Sequence, residues 1–567
     1  MKILKIIFGV LAVGLSVSCN PTETMEEADL LLKNGKIWTG DPSNPWVNWI
    51  SIKNGKIADL GNGGTAPASK EIIDLEGRLT LPGFNDSHVH FASAGQLLLG
   101  INLLDVNNDA LFIQKVKETT QRLPKNSWIT SGSWGAYEAW GLGSVGGDTR
   151  KETWIPSRSL IDSITTDYPV LVVRYDRKMG LANALALDYL GIDSESGILT
   201  GRLLKESLES IPDKSVERKL AEARRALEEC RMWGVTTVQD MSPPDQLEVY
   251  EALRKSGELT CRINFSPSRL GDYKMMIENG WVIDYSEPER PHPAGDAWIS
   301  YGTLKTHIDG IMGGRTARFF EPYSDNDVEN RLWRGGWREF SKDMPSFKEM
   351  IFKADAENIQ MRIHAIGDEA NTILLDILDS MAIVNGPRDR RFRLVHAQVL
   401  RPEDFARFQG KNIVAEVQPY HVIDDMRWMQ ERIGYERSEG AYAFRTLHDN
   451  GCILSFGSDW PGTNASYYPV NPLYGLYAAV TRQTVNGKPD EGWFPLQRIG
   501  LEEALRAYTW GSSFGAFEDH IKGTLEPGKL ADLVVLDTDL FSTEPSDWLN
   551  ARAVYTIVDG KVVYRLQ

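Results

Sequence analysis

A repeated order of helix then strand constrains this chain more than any other feature. Val216 to Trp233 sets Leu220, Ala223 and Leu227 on one helical stripe, Gly234 ends it, and Val235-Thr236-Thr237-Val238 follows as a short strand. The same order recurs at 347–358 before 360–364, at 402–409 before 412–417, and at 443–450 before 452–456. Strands alternating with helices predict a parallel sheet joined by crossovers. Over this length a closed (β/α)8 TIM-type barrel is the leading expectation, with a doubly wound open sheet as the alternative.

The placement of polar residues favours the barrel. His364 ends the strand-like run 359–364, His396 ends 392–396, and Asp459 follows 452–458. Barrels carry their chemistry at the C-terminal ends of strands, where loops from different strands converge. Near the start, Leu81-Pro82-Gly83-Phe84-Asn85-Asp86-Ser87-His88-Val89-His90 puts two histidines on an extended segment, where side chains at i and i+2 share a face. Two converging imidazoles offer a divalent cation lone pairs from one direction. Singly, each histidine is more often a satisfied structural residue. With nine histidines in 567 residues, four at strand ends plus a terminal aspartate form a pattern.

The chain ends read differently. Asp29–Trp38 and Ile50–Ile57 each carry Asn-Gly, a strong hairpin signal, and 531–536 and 553–563 repeat the theme of short strands. Neither end has enough strands for a stable sheet alone. The expected organisation is a small β-sandwich built from 28–80 together with 520–567, flanking a central barrel over 81–519. An insertion at about 100–212 interrupts the barrel early and reads as lid and substrate-shaping structure. Its Trp134, beside glycines, is a candidate substrate contact.

Met1–Lys5 is a short basic start, and Ile6 to Val17 is an apolar run too short to span a bilayer comfortably. With Ser18-Cys19 behind it, the segment is a targeting sequence outside the fold and resembles a bacterial lipoprotein signal. That resemblance implies a signal peptide over 1–19, lipidation at Cys19, a tether over 20–27, and export to the periplasm or cell envelope. Membrane contact would then run through the lipid anchor. An ordinary secretory signal is the alternative. Cys230, Cys261 and Cys452 give no disulfide framework and read as buried packing. The formal charge of −16, with no basic patch, argues against a nucleic-acid partner.

Taken together, the motifs resemble the amidohydrolase superfamily, and more narrowly amidohydrolase family 3, the branch that includes N-substituted formamide deformylases. The resemblance covers nearly the whole mature chain. It runs from Leu81–His90 through Gly234–Val238 and Lys305-Thr306-His307-Ile308-Asp309-Gly310 to Arg315-Thr316-Ala317. It continues through His364-Ala365-Ile366-Gly367-Asp368, Val395-His396-Ala397, Gln418-Pro419 with His421, Phe456–Pro461, and Gly523–Asp532. It implies metal ligands at His88, His90, His364, His396 and Asp459. It also implies a lysine, Lys305, that CO2 carboxylates so that the carbamate bridges two divalent metals, most naturally zinc. Carboxylation needs a neutral amine, which burial supplies. The alternative is Lys305 paired with a carboxylate such as Asp309 beside a single metal.

The implied mechanism has water activated by metal, Asp459 as base and then acid, and His396 and His421 at the developing oxyanion. Asp309, Arg315 and Gln418 are candidate substrate contacts, with a loop salt bridge or strand-end packing as their alternative roles. His292, His307, His448 and His520 read as structural or solvent-facing. Two loops depart from the relatives' pattern, Gly132–Glu138 and Arg174–Asn183, where Lys178 stands in place of a histidine. The expected function is hydrolysis of a C–N, amide-type bond in a small molecule. A deaminase or cyclic-amide hydrolase on the same scaffold is the near alternative, and a surface solute-binding lipoprotein without catalysis the distant one. Homo-oligomerisation is left open.

Overall fold

Two ladders of short parallel strands carry the interior of the protein. In chain order, β1 (Phe84–Val89), β2 (Val235–Asp240), β3 (Arg262–Phe265) and β4 (Ile299–Tyr301) pair in the first. The second runs β5 (Thr303–His307), β6 (Gln360–Ala365), β7 (Arg393–His396), β8 (Val414–Val417) and β9 (Ile453–Phe456). The computed structural model describes residues 27–63, 66–135, 154–326, 329–338, 341–462 and 466–567. The signal segment, Cys19 and most of the tether lie outside the described residues.

The chain passes from β4 to β5 through Gly302, where φ is +138° and a Cβ would stand 2.7 Å from Ile283 Cδ1. A side chain is excluded there, and glycine permits the bend. On the far side the ladders meet again. Val89 bridges Trp460 in parallel, and the Asp459 N–H donates to the His88 carbonyl at 2.8 Å. Asp86 Oδ1 accepts the N–H groups of His88 at 3.1 Å and Ser458 at 2.9 Å. A Cβ on Gly457 would lie 2.6 Å from the His88 nitrogen, so the approach of β9 to β1 needs glycine. Among the parallel strands spatial order follows chain order, with only the short antiparallel pieces Ile283–Asp284 and His292–Gly295 added at the edge beyond β4, so the described parallel strands show no switch point of a doubly wound sheet. The architecture is a TIM-barrel-like α/β fold, hydrogen-bonded as two ladders rather than one continuous sheet.

The helices pack outside these strands as their stripes predict. Val216–Met232 starts at Ser215, whose Oγ accepts the Arg218 N–H, and buries Ala223, Ala226, Leu227 and Cys230. The predicted helix at 402–409 forms instead as a 3-10 helix, Pro402–Phe408. All three described cysteines are buried and free.

The chain ends meet in one six-stranded sheet. Lys561–Arg565, Ala553–Val558 and Leu533–Leu536 pair in turn, and Leu533–Leu536 pairs with Leu79–Pro82, which Gly83 joins to β1. A second, N-terminal sheet of Ala28–Lys33, Trp49–Lys53, Lys56–Gly61 and Ser69–Asp74 shares an apolar cluster with it, including Leu30, Ile50, Leu533 and Ile557. Asn54-Gly55 turns a hairpin as expected. Asn34-Gly35 does not: Ala28–Lys33 and Lys36–Trp38 belong to different sheets, so this turn carries the chain between layers. The insertion builds its own sheet from Ile129–Trp134, Val170–Arg174, Met179–Ala182 and Ile198–Thr200, with two apolar clusters of its own.

Arg262 on β3 bolts the terminal sheet to the parallel strands. Its guanidinium donates to Asp532 at 2.6 and 3.0 Å, and both side chains are buried. Removing Asp532 leaves the buried guanidinium only the Asp559 carboxylate at 3.3 Å and the Ala297 carbonyl at 3.0 Å. Asp532→Ala is therefore expected to cost about 3 kcal/mol in a urea unfolding titration, while a loss below about 1 kcal/mol would show the pair to be incidental.

Candidate metal centre

β1 delivers His88 from a fully buried strand, and His90 follows one residue beyond its end. Both rings face one carboxylate oxygen: His88 Nε2 lies 3.5 Å and His90 Nε2 3.2 Å from Asp459 Oδ1. Asp459 and His396 hold left-handed backbone, with φ of 59° and 69°. That conformation costs a non-glycine residue about 1–2 kcal/mol, and such strain gathers where geometry matters more than stability.

Three histidines have one ring nitrogen committed to an acceptor. His88 Nδ1 meets Glu416 Oε1, His364 Nε2 donates to the Gly310 carbonyl at 2.9 Å, and His396 Nδ1 donates to Gln418 Oε1 at 2.7 Å. In a neutral imidazole the other nitrogen must then carry the lone pair. The rings are neutral because burial disfavours their cations, reinforced by Lys305 at His88 and His364 and by His364 at His396. His364 is brought down to about 3.

Asp459 stays ionised. Burial pushes its carboxyl up, but His88, His90 and His421 around it hold it below the ordinary carboxylate range. Thus the lone pair of His88 and an anionic oxygen face each other with no proton to share. A divalent cation removes that conflict. Two donor sets meet at this aspartate, His88/His90/Asp459 and His396/His421/Asp459, with the donor atoms of each set within 4.8 Å of one another. His421 Nε2 is buried without a hydrogen-bond partner, 3.7 Å from Asp459 Oδ2. The residues present fit a metal with nitrogen and oxygen ligands.

Lys305 projects from β5 into the same cavity, which measures about 220 Å³ and suits a small molecule rather than a polymer. Burial, opposed by the attraction of Glu416, brings its amine down to about 7. Its Nζ makes no ion pair or hydrogen bond among the described residues. Pairing with Asp309 is therefore not what forms: Asp309 is fully buried and accepts backbone N–H groups from Arg318, Ile366 and Gly367 at 2.8, 3.1 and 2.9 Å.

Beneath the histidines lies a charge cluster that sequence reading missed. Glu416 on β8 accepts from Arg362 on β6 and pairs with Arg393 on β7 at 2.8 Å, all three side chains being 0% exposed. The cluster fixes the oxygen that meets His88. Its signal was present, since Arg362 lies two residues before His364 and Glu416 two before Gln418, on the same strand faces. By the same spacing His307 follows Lys305; it lines the cavity, 4.9 Å ring to ring from His364, rather than serving as a remote structural residue.

The four candidate substrate contacts fall elsewhere. Asp309 ties loops together, as described. Arg315 forms a loop salt bridge to Asp325 at 2.6 and 3.0 Å and does not line the cavity. Gln418 orients His396 instead of facing the cavity. Trp134 is completely buried in the insertion's own core, where apolar packing outcompetes a pocket role. Of the other candidates, His88, His90, Lys305, His364, His396, His421 and Asp459 all line one cavity.

The sequence profile of the amidohydrolase family matches residues 71–564. Protein LONG AFTER FAR-RED 3 of Arabidopsis thaliana is 34% identical over 95% of this chain and 92% of its own. The N-substituted formamide deformylase of Arthrobacter pascens is 24% identical over 94% of this chain and 98% of its own. Among solved structures, an uncharacterized metal-dependent hydrolase from Pyrococcus horikoshii OT3 superposes with a TM-score of 0.70 at 25% identity, covering 91% of this chain and 99% of that one.

Gln418 offers a clean test of the tautomer argument, because it is neutral. Gln418→Leu frees His396 Nδ1–H and is expected to weaken metal binding about 10–100-fold in a chelator competition, with the circular dichroism spectrum retained. Unchanged affinity would show that the orientation of His396 does not matter to the metal.

Proposed function

The chain belongs to the amidohydrolase family and is a metal-dependent hydrolase, and on that premise we propose that it cleaves the C–N bond of a small-molecule amide. The observation that carries this reading is the position of Asp459, an ionised carboxylate shared by both donor sets at the floor of a small cavity. His88, His90 and Asp459 would hold one divalent ion, and Lys305, His364 and His396 a second, with zinc as the assignment. Metal, when bound, supplies acidified water and polarises the carbonyl.

Asp459 takes the proton of the attacking water on Oδ2 and returns it to the leaving amine. His396 and His421 border the carbonyl oxygen, and the unpartnered Nε2 of His421 is free to donate as negative charge develops there. Burial keeps His421 a neutral donor, down to about 4. The Lys305 amine, unpaired among the described residues, supports reaction with CO2, which would release one proton and leave a carbamate whose anionic oxygens could serve as metal ligands. The deformylase among the relatives supports an N-formyl or N-acyl substrate.

The fold and its setting extend the proposal. Taking β4 and β5 as one strand bent at Gly302, the two ladders are the arcs of a single (β/α)8 barrel over 81–519. The joined terminal sheets over 28–80 and 520–567 form a β-sandwich. The signal-like segment 1–19 would export the protein and anchor it through Cys19.

Zinc-loaded protein in bicarbonate, offered N-formyl, N-acyl and cyclic amides beside aminated heterocycles, is expected to release substituted amines. Asp459→Asn should abolish that release, a loss of at least about 1,000-fold. Ammonia from the heterocycles would make the protein a deaminase instead. Labelled bicarbonate should give a carbamate signal in carbon NMR that grows above a pH of about 7, where the Lys305 amine loses its proton, and fades below it. Lys305→Met should lack that signal at every pH; its persistence there would place the carbamate on another group.

A further inference from the structure

The cavity carries a cation that has no hydrogen-bond or ion-pair partner among the described residues, although its charge is felt at the buried Asp309. Arg338 lines it at the rim, exposed to solvent, and its guanidinium makes no hydrogen bond or ion pair among the described residues. Three other arginines of the same loop region are paired, Arg315 with Asp325 at 2.6 Å, Arg318 with Glu369 at 2.8 Å and Arg334 with Glu369 at 3.6 Å, while the exposed Arg331 does not line the cavity. In a chain with a formal charge of −16, an unmatched guanidinium beside a catalytic cavity calls for a ligand.

The carboxylates that line or adjoin the cavity are all committed elsewhere. Asp309 is taken by three backbone N–H groups. Asp424 is held by Arg427, by Ser466 at 3.0 Å and by Tyr468 at 3.2 Å. Asp425 accepts from Gln398 at 2.8 Å and Tyr442 at 2.6 Å, and Asp459 faces the histidines.

The stem of Arg338 is fixed. Its N–H donates to the Ile308 carbonyl at 3.2 Å, and its own carbonyl accepts from Ser341 and Lys342 at 3.0 Å. One residue earlier Trp337 bridges Asp309. The guanidinium therefore hangs from backbone pinned to Ile308 and Asp309, the two residues that follow β5. Its charge is felt at His307 and His364, where burial is the larger influence and Arg338 acts in the same direction. The same cavity is lined by the apolar side chains of Ile311, Met312 and Ile366.

We propose that Arg338 is the recognition group for a carboxylate on the substrate, so that the cavity takes amides of acidic molecules, such as N-acyl amino acids, with an apolar body between the carboxylate and the scissile bond. This rests on the reading of the cavity as the substrate site. A guanidinium pairs a carboxylate through two parallel N–H groups, a geometry that a neutral analogue cannot use.

Binding can be read without turnover. Hydrocinnamate and hydrocinnamyl alcohol share an apolar body and differ in charge. Calorimetric titration into the zinc-loaded full chain should show hydrocinnamate binding about tenfold tighter than the alcohol. Arg338→Met should bring the two to equal affinity, and Arg338→Lys should keep part of the preference. Equal affinities in the unaltered protein, no binding of hydrocinnamate, or a preference that survives Arg338→Met would each overturn the proposal, the last by placing the carboxylate on the metal or another group. Amide turnover by the unaltered protein is scored separately. A carboxylate preference that depends on Arg338, without any amide hydrolysis, would sink the amide-cleavage reading and leave this subsite standing.

Discussion

The site depends on one buried anion. Glu416 sits at 0% exposure between Arg362 and Arg393 and presents an oxygen to His88 Nδ1. Ion clusters without water rarely add net stability, because desolvation consumes most of their Coulomb attraction. What this one provides is direction. With its Nδ1 proton bound to Glu416, His88 must turn the Nε2 lone pair toward Asp459. The two arginines against one glutamate also leave positive charge under the cavity, which favours the neutral form of Lys305 and accommodates an anionic group there.

The strand arrangement makes that cluster geometrically available. Arg362, Arg393 and Glu416 come from consecutive strands of one parallel ladder, with Arg362 opposite Arg393, and Arg362 and Glu416 each two residues before His364 and Gln418 on their own strands. The interior therefore has a charged layer, a layer of ligating side chains above it, and then the cavity. The backbone strain at His396 and Asp459 belongs to the same design, since hydrogen bonds from β1 hold Asp459 in a conformation it would not choose alone. Gly457 and Asp86 bring β1 close enough for this to happen.

Much of this was legible in the sequence. Helix–strand alternation and strand-end histidines predicted the parallel architecture and brought seven candidate side chains to one cavity, because period and strand polarity fix which side chains converge. What failed were the assignments that rest on loops. Arg315, Asp309 and Trp134 each found a local partner, Asp325, three amides and the insertion core, and loop conformation that creates such partners leaves no periodic trace. The Asn34-Gly35 turn failed for a related reason, since the dipeptide marks a turn but not which sheet the next strand joins. Arg362, Arg393 and Glu416 were readable as charges inside apolar strands. Sequence spacing does not reveal that they meet, because their pairing depends on the register between three different strands.

A crystal of the zinc-loaded protein, with anomalous differences collected across the zinc edge, tests the central claim most directly. The account predicts a peak enclosed by His88 Nε2, His90 Nε2 and Asp459, with Glu416 still on His88 Nδ1. A protein that takes up no zinc at this cavity, or binds it with the His88 ring reversed, would contradict it.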